Sequence, residues 1–138
     1  MPSIPNTVND VTINFSAQAN NSVDQRILDA LNEIITSELV EDHSLTSLYV
    51  SSANDQHSLP SRHVQGQGKA IDISRVNGKK IVLYYNSDDD VKAVVDALQA
   101  NFENYQHRRE NFGPSLKHKL GSSFPVSGHN DHIHLSVN

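Results

Sequence analysis

The C-terminal residues 128–137 contain side chains whose types and spacing suit metal binding and proton transfer. His129, Asp131, His132 and His134 lie within six residues, a density of imidazole and carboxylate groups that ordinary packing does not require. These groups are the ligands that zinc prefers at catalytic sites. The stretch therefore predicts one half of a metal site.

The other half is predicted upstream, in residues 61–73. There His63 and Asp72 flank the glycine-rich residues 66–68, which let the backbone pass close to a ligand. The glycines resemble the start of a dinucleotide-binding fingerprint, but Ile71 occupies the third glycine position and no long helix is predicted to follow. Phosphate binding is therefore not predicted for this segment.

Composition limits the classes of function. With 138 residues, the chain is predicted to form a single domain over residues 11–138, preceded by a flexible, polar arm at residues 1–10. It has no cysteine, so a metal must be bound by His, Asp and Glu, and a thiolate nucleophile is excluded. The net charge of -5 comes without a basic patch that would indicate nucleic acid as a partner.

The hydropathy of the chain indicates whether it inserts into a membrane and whether it carries an export signal. No apolar run approaches the roughly 20 residues of a membrane span. The N-terminus lacks the basic and apolar regions of a secretory signal. We therefore expect no membrane insertion and no autonomous export.

Apolar periodicity predicts two amphipathic helices and five strands. The first helix is predicted over residues 23–39 behind a cap at Ser22, and the second begins after Ser87, with the acidic residues 88–90 in its first turn. The strands are predicted at residues 11–15, 48–50, 70–73, 80–85 and 132–137, with a tight turn at residues 77–78. Residues 105–124 are predicted to be an irregular surface connection.

Strand alternation predicts how the two halves of the site meet. Asp72 points away from its isoleucine neighbours in one strand, and His132 and His134 share the face opposite the aliphatic side chains in another. Two central strands could therefore present Asp72 and His134 to one cleft, with His63 reaching in from the loop before its strand. Two imidazoles and one carboxylate leave the fourth zinc position to water, as in a hydrolytic site.

Peptide hydrolysis also needs a base for the water and a proton donor for the leaving amine. Asp131, His129 and His132 are all candidates, and their spacing does not choose among them. Other hydrolytic chemistries lack support, because neither an H-E-x-x-H helix nor a G-x-S-x-G turn is present. The remaining histidines are predicted to be surface residues: His43, His57, His107 and His118.

Residues 61–137 resemble a family of zinc peptidases that cut cell-wall peptides containing D-amino acids. The motifs that carry the resemblance are Ser61-x-His63, Gly68-x-Ala70 or the nearby Gly66, Asp72 and His132-x-His134. The family includes D-alanyl-D-alanine carboxypeptidases, the L-alanyl-D-glutamate endopeptidases of phage endolysins and penicillin-insensitive murein endopeptidases. The signalling domain of hedgehog is a noncatalytic relative.

The resemblance implies that His63, Asp72 and His134 bind one zinc ion. It places Asp131 where many members carry a catalytic Asp or Glu. It also matches His129 and His132 to the histidines of the murein endopeptidase pattern Gly-His-x-x-His-x-His.

The chain departs from the family at two points. Eight residues separate His63 from Asp72 where the family usually has six, so the intervening loop must bulge. The substrate-polarising arginine that many members carry is absent from residues 50–55. Arg62 is the candidate that could replace it, and Arg62 and Ser61 are the predicted substrate-binding residues.

Sequence and resemblance together predict an α+β domain with a small antiparallel sheet, helices on one face and a zinc cleft on the other. The predicted activity is zinc-dependent hydrolysis of a peptide bond in a peptidoglycan stem peptide, by a monomeric phage endolysin or related carboxypeptidase or endopeptidase. Such an enzyme would accumulate in the host cytoplasm and then reach the cell wall. The alternative is a noncatalytic, zinc-stabilised wall-binding or virion structural domain.

Overall fold

The computed structural model describes residues 2–17, 19–53 and 68–138, without the side chains of Asp42 and His43. The helices are α1 (Gln25–Ile34), α2 (Ser37–His43), α3 (Ile81–Tyr84) and α4 (Asp89–Phe102). The strands are β1 (Thr7–Val8), β2 (Val11–Phe15), β3 (Ser47–Ser52), β4 (Ala70–Val76), β5 (Lys79–Lys80), β6 (Arg108–Phe112), β7 (Lys117–Lys119), β8 (Ser122–Ser123) and β9 (Ile133–Val137). In this described part, no helix is long and apolar enough to cross a membrane.

The described strands form one sheet in the order β1-β2-β3-β4-β9-β6-β7-β8, with β5 paired to β4. Neighbouring strands are antiparallel except β2 and β3, which are parallel because the chain crosses over through α1 and α2 between them. The fold is therefore mixed α/β with a mostly antiparallel open sheet, in agreement with the predicted α+β class.

Strands β4 and β9 lie side by side in the middle of the sheet. Their register aligns Asp72 with His134, and it aligns the apolar residues of the two strands with each other. The apolar side chains are buried in the core, against which α1 and α4 pack. Asp72 and His134 therefore point to the opposite face, as strand alternation predicts.

Asp24 and Asp88 cap the two long helices, α1 and α4. The predicted caps, Ser22 and Ser87, are wrong, because they precede the observed caps by two residues and one residue. The Asp24 carboxylate accepts the backbone N–H of Arg26 at the start of α1 (2.9 Å). The Asp88 carboxylate accepts the N–H of Val91 at the start of α4 (3.0 Å), and more acidic residues follow in the first turn. The acidic run therefore serves the positive end of a helix, as predicted.

The single helix predicted over residues 23–39 is wrong, because the chain forms two helices with a break between them. Thr36 has an extended backbone and accepts the N–H of Leu39 to begin α2 (3.2 Å). Asn9, in the turn between β1 and β2, donates its side-chain amide to the carbonyl of Ile35 (2.6 Å). A residue distant in sequence, Asn9, therefore contacts the chain at the break. Apolar periodicity does not reveal such a contact.

The strand predicted at residues 80–85 is also wrong. The strand after the turn is limited to β5, which pairs with β4 across the predicted turn at residues 77–78, where both residues have positive φ. The chain then forms α3. Ile81 is buried whereas Val82 and Leu83 are exposed, a pattern that a single helical turn satisfies. A short apolar run does not distinguish a strand from a helical turn by composition.

The irregular connection predicted at residues 105–124 instead contains β6, β7 and β8. β6 pairs with β9 on one side and with β7 on the other. Its residues lack the apolar alternation of a half-buried strand, because Asn111 occupies a buried position and Glu110 faces the same side as His134. Pairing with β9, rather than a local apolar pattern, is what defines this strand.

Residues 2–10, in the predicted N-terminal arm, contact the rest of the described fold. Ile4 and Val8 are buried, and Ser3 forms a β-bridge with Ser22. β1 and β2 are joined by a tight turn with positive φ at its two residues. This turn carries the asparagine that contacts the end of α1.

Gln99 of α4 is fully buried and joins the helix to the β6–β7 hairpin. Its side-chain amide donates to Asn111 Oδ1 and to the Leu116 carbonyl, and its Oε1 accepts the N–H of Ser115, each at 3.0 Å. A Cβ at Gly113 would lie 2.5 Å from Gln99 Oε1. The hairpin is therefore held against α4 by hydrogen bonds that leave room for glycine alone at this position.

Replacing Gly113 by alanine should destabilise the fold. The new Cβ would displace Gln99, which cannot retract without breaking its hydrogen bonds, so we expect a loss of about 1–3 kcal/mol in the free energy of unfolding. Urea denaturation followed by circular dichroism measures this loss. In the Gln99→Ala background the same substitution should cost much less, and an equal cost in both backgrounds would contradict the steric explanation.

The Asp88–Lys79 ion pair at the start of α4 should make stability depend on pH. The Lys79 ammonium, and then the Val91 N–H, hold the pKa of Asp88 below its usual 3.8. The charge of Asp88 therefore stabilises the fold above pH 3.8, and this contribution is lost as the pH falls through the lowered pKa.

In Asp88→Asn the amide can still cap the helix, whereas Asp88→Ala removes both the cap and the charge. We expect Tm at pH 7 to fall in the order wild type, asparagine, alanine. The gap between wild type and asparagine should close as the pH drops below 3.8, while the gap between asparagine and alanine should persist. A wild-type advantage that grows in acid would refute the ion-pair account.

Candidate metal and proton-transfer site

The cross-strand pair of Asp72 and His134 forms the centre of the candidate site. Asp72 Oδ1 lies 2.9 Å from His134 Nδ1, and the two side chains expose 18% and 10% of their surfaces. Phe112 of β6 stacks on the His134 imidazole, with the ring centroids 5.7 Å apart. The centre of the site is therefore a largely buried polar pair with an aromatic ring packed against it.

His134 has a second carboxylate partner, Glu110 of β6. His134 Nε2 lies 3.1 Å from Glu110 Oε1, so the two ring nitrogens face two different carboxylates. Sequence reasoning misses Glu110 and Phe112 because they lie in the segment predicted to be irregular. Their separation by two residues, which places them on one face of a strand, is the only signal that could have found them.

The partners of His134 shift its pKa and that of Glu110 in opposite directions. Burial disfavours the imidazolium, but the hydrogen bonds to Asp72 and Glu110 outweigh burial and raise the pKa of His134 to about 9. Burial also disfavours the Glu110 carboxylate, but hydrogen bonds from His134 and Ser136 lower the pKa of Glu110 to about 2. The two carboxylates thus create a position that strongly favours positive charge.

His132 lies at the solvent-facing side of this pair. Its Nδ1 is 2.6 Å from Asp131 Oδ1, and its Nε2 is 3.8 Å from Asp72 Oδ1. Asp131 is 61% exposed, and the hydrogen bond from His132 holds the pKa of its carboxyl below the usual value. The Asp131 carboxylate therefore orients His132 so that the other ring nitrogen faces the centre of the site.

His129 packs among the other rings of the site. Its ring centroid is 5.2 Å from those of Phe112 and His132 and 5.6 Å from that of His134. The backbone at His129 has a positive φ, directly after Gly128 with the same feature, so a tight turn brings the ring back over the site. Burial, then the nearby charges of His134 and His132, lower the pKa of the His129 imidazole.

The structure brings together all the described residues that the sequence predicts for the site: Asp72, His129, Asp131, His132 and His134. The predicted ligand His63 and the predicted substrate-binding residues Ser61 and Arg62 lie outside the described residues. β3 ends at Ser52, the register partner of Asp72.

Comparison of the chain with known protein families, with curated proteins and with solved structures finds no match.

Asp72 and His134 fit a shared divalent metal ion in their chemistry and spacing. A carboxylate oxygen and an imidazole nitrogen are both zinc ligands, and their 2.9 Å separation is close to the roughly 3 Å expected for two atoms that each lie about 2 Å from one ion. Within the described residues, no group of three or more His, Asp or Glu side chains could hold a metal. Two of the three predicted ligands, Asp72 and His134, lie within the described residues, and the third, His63, lies outside them.

Four histidines outside the site were predicted at the surface, and the structure describes the side chains of two of them. His118 exposes 32% of its side chain, and its Nδ1 lies 2.7 Å from Glu103 Oε1. His107 is half-buried, with its ring edge against Tyr105. The side chain of His43 and all of His57 lie outside the described residues.

Phe112 should contribute more to stability than its stacking partner Phe124. The two rings are 6.0 Å apart, but Phe112 is 4% exposed and Phe124 is 40% exposed. We expect Phe112→Ala to cost about 3–5 kcal/mol and Phe124→Ala clearly less, because only the first leaves a buried cavity beside His134. Urea denaturation with a chelator present measures both, and equal losses would show that Phe112 is not the buried wall of the site.

Proposed function

We propose that the protein is a zinc-dependent peptidase that hydrolyses a peptide bond in peptidoglycan stem peptides, as a phage endolysin or a related cell-wall hydrolase does. The observation that carries the proposal is the convergence of Asp72, His134 and His132 on one face of the sheet. Its second support is the resemblance of residues 61–137 to zinc peptidases of the cell wall. The substrate class comes from that resemblance.

In this proposal Asp72, His134 and His63 hold a single zinc ion. Asp72 Oδ1 and His134 Nδ1 face each other at 2.9 Å, so His134 would contribute its Nδ1. When bound, zinc would lower the pKa of a water molecule and polarise the substrate carbonyl. The rest of the chemistry falls to side chains of the chain itself.

His132 is the residue that we assign to proton transfer. Its Nε2 faces the Asp72 side of the site, and its Nδ1 is held by Asp131. An imidazole oriented through one nitrogen can take a proton from the attacking water on the other and return it to the leaving amine. Asp131 is the weaker candidate for the base, because the hydrogen bond from His132 already stabilises its charged form.

The remaining predicted residues keep supporting roles. His129 packs between Phe112 and His132, where its ring can limit the movement of the His132 imidazole and line the site. Ser61 and Arg62 stay predicted substrate-binding residues.

Loss of either described ligand should remove zinc. We expect His134→Ala and Asp72→Ala to lose bound zinc after dialysis against a weak chelator, because two ligands do not hold zinc tightly. His107→Ala, which removes a histidine away from the site, should retain it. Elemental analysis of the dialysed proteins measures occupancy, and unchanged zinc in His134→Ala would remove this residue from the metal site.

Replacement of His132 should strongly reduce turnover without removing zinc. We expect His132→Ala to lower kcat/KM by about 10²–10⁴ because general acid–base catalysis is lost, and Asp131→Asn to have a smaller effect. Mass spectrometry of soluble fragments from purified peptidoglycan measures turnover, and the fragment masses identify the bond that is cut. A larger effect of Asp131→Asn than of His132→Ala would reassign the base to Asp131.

The noncatalytic alternative predicts a different result in the same assay. A folded wild type with full zinc occupancy would then release no fragments from walls of several chemical types. That outcome would favour a zinc-stabilised wall-binding or virion structural domain over a peptidase.

A further inference from the structure

A β-bulge in β6 lies directly beside the candidate metal site. Arg108 is aligned with Val137 and Glu110 with Ser136, so Arg109 is an extra residue that has no partner in the β9 register. Successive residues of a regular strand point to opposite faces, but a bulge re-aims a side chain. The Arg109 guanidinium accordingly reaches its neighbour Glu110, with 3.1 Å between Nη1 and Oε1.

Glu110 Oε1 is surrounded by donors from three side chains. It lies 3.1 Å from His134 Nε2, it accepts the Ser136 hydroxyl at 2.8 Å, and it pairs with Arg109. The Ser136 hydroxyl oxygen also accepts the backbone N–H of Glu110 at 3.0 Å. The position of this oxygen is therefore determined from both strands.

We propose that Glu110 is the positioning residue for His134 in the metal site, and that Arg109, turned inward by the bulge, holds Glu110 in place. The inference rests on the proposed function, since it concerns the same metal site. An Nε2–H donated to Glu110 leaves Nδ1 as the ring nitrogen with a lone pair, and Nδ1 is the nitrogen that faces Asp72. Carboxylates that orient ligand histidines in this way also make them more basic.

A purely structural role for these residues predicts different behaviour. If Glu110 and Arg109 only join β6 to β9, their replacement lowers the stability of the metal-free protein and leaves the metal environment unchanged. If they position His134, replacement changes both the metal affinity and the ligand geometry. The cobalt form of the full chain separates the two, because the visible absorption of Co²⁺ reports on ligand geometry.

The experiment measures the Co²⁺ dissociation constant, by competition with a chelator, and the visible spectrum of each cobalt-loaded variant. We expect Glu110→Gln to weaken binding about 10–100-fold and to shift the absorption band, as is usual when an outer-sphere partner of a ligand histidine is lost. Arg109→Met should have a smaller effect in the same direction, and Arg109→Lys should restore part of it. Arg108→Met is the matched control, because Arg108 donates to the Tyr105 carbonyl (3.1 Å) instead of to Glu110.

The double variant tests whether Arg109 acts through Glu110. In the Glu110→Gln background, Arg109→Met should cause no further loss of affinity, because its target carboxylate is already gone. An equal loss in both backgrounds, or an equal effect of Arg108→Met, would overturn the role of Arg109. Unchanged affinity and spectrum in Glu110→Gln would overturn the positioning role, even if the variant is less stable.

These outcomes are distinct from failure of the proposed function. A wild type that binds no Co²⁺, or affinity that survives Asp72→Ala and His134→Ala, would refute the metal site and this inference together. Binding that depends on Asp72 and His134 but not on Glu110 would leave the metal site intact and refute the inference alone.

Discussion

The antiparallel pairing of β4 with β9 fixes the positions of the residues at the centre of the candidate site. It sets Asp72 opposite His134 and the aliphatic residues of the two strands opposite one another. A slip of one residue would turn the carboxylate toward the apolar core and the aliphatic residues toward the site. The core and the site therefore lie on opposite faces of the same two strands, and both depend on one register. Burial of the aliphatic side chains under α1 and α4 stabilises that register.

Charged groups can lie so close to this core because they neutralise one another. Asp72 and Glu110 supply two carboxylates, and the imidazolium of His134 and the guanidinium of Arg109 lie within 3.1 Å of them. An isolated buried charge is strongly unfavourable, whereas a hydrogen-bonded set with matched charge is tolerated. A metal ion held by Asp72 and the His134 Nδ1 would replace the proton on that ring nitrogen. The same two carboxylates would therefore stabilise either the imidazolium or a metal-bound His134.

The polar contacts around β6 connect this cluster to the rest of the fold. On one face of β6, Glu110 and Phe112 contact His134. On the other face, Asn111 is buried against Gln99 of α4. A single strand thus carries the hydrogen bonds that hold the hairpin to the helix and the side chains that enclose the imidazole. The sequence of β6 lacks apolar alternation because both faces of the strand carry polar side chains that make hydrogen bonds.

The sequence by itself determined the elements with strong periodicity and the identity of the chemical groups. The aliphatic alternation around Asp72 and His134 predicts two strands with these residues on one face, and imidazoles beside carboxylates predict metal and proton chemistry. The sequence did not determine the break after α1 or the strand β6, because these depend on the distant partners Asn9 and β9. It did not determine the turn α3, because a short apolar run is compatible with a strand and with a helical turn. Only the tertiary structure brought Glu110, Phe112 and the bulged Arg109 to the candidate site, since hydrogen bonds between strands far apart in the chain leave no local pattern.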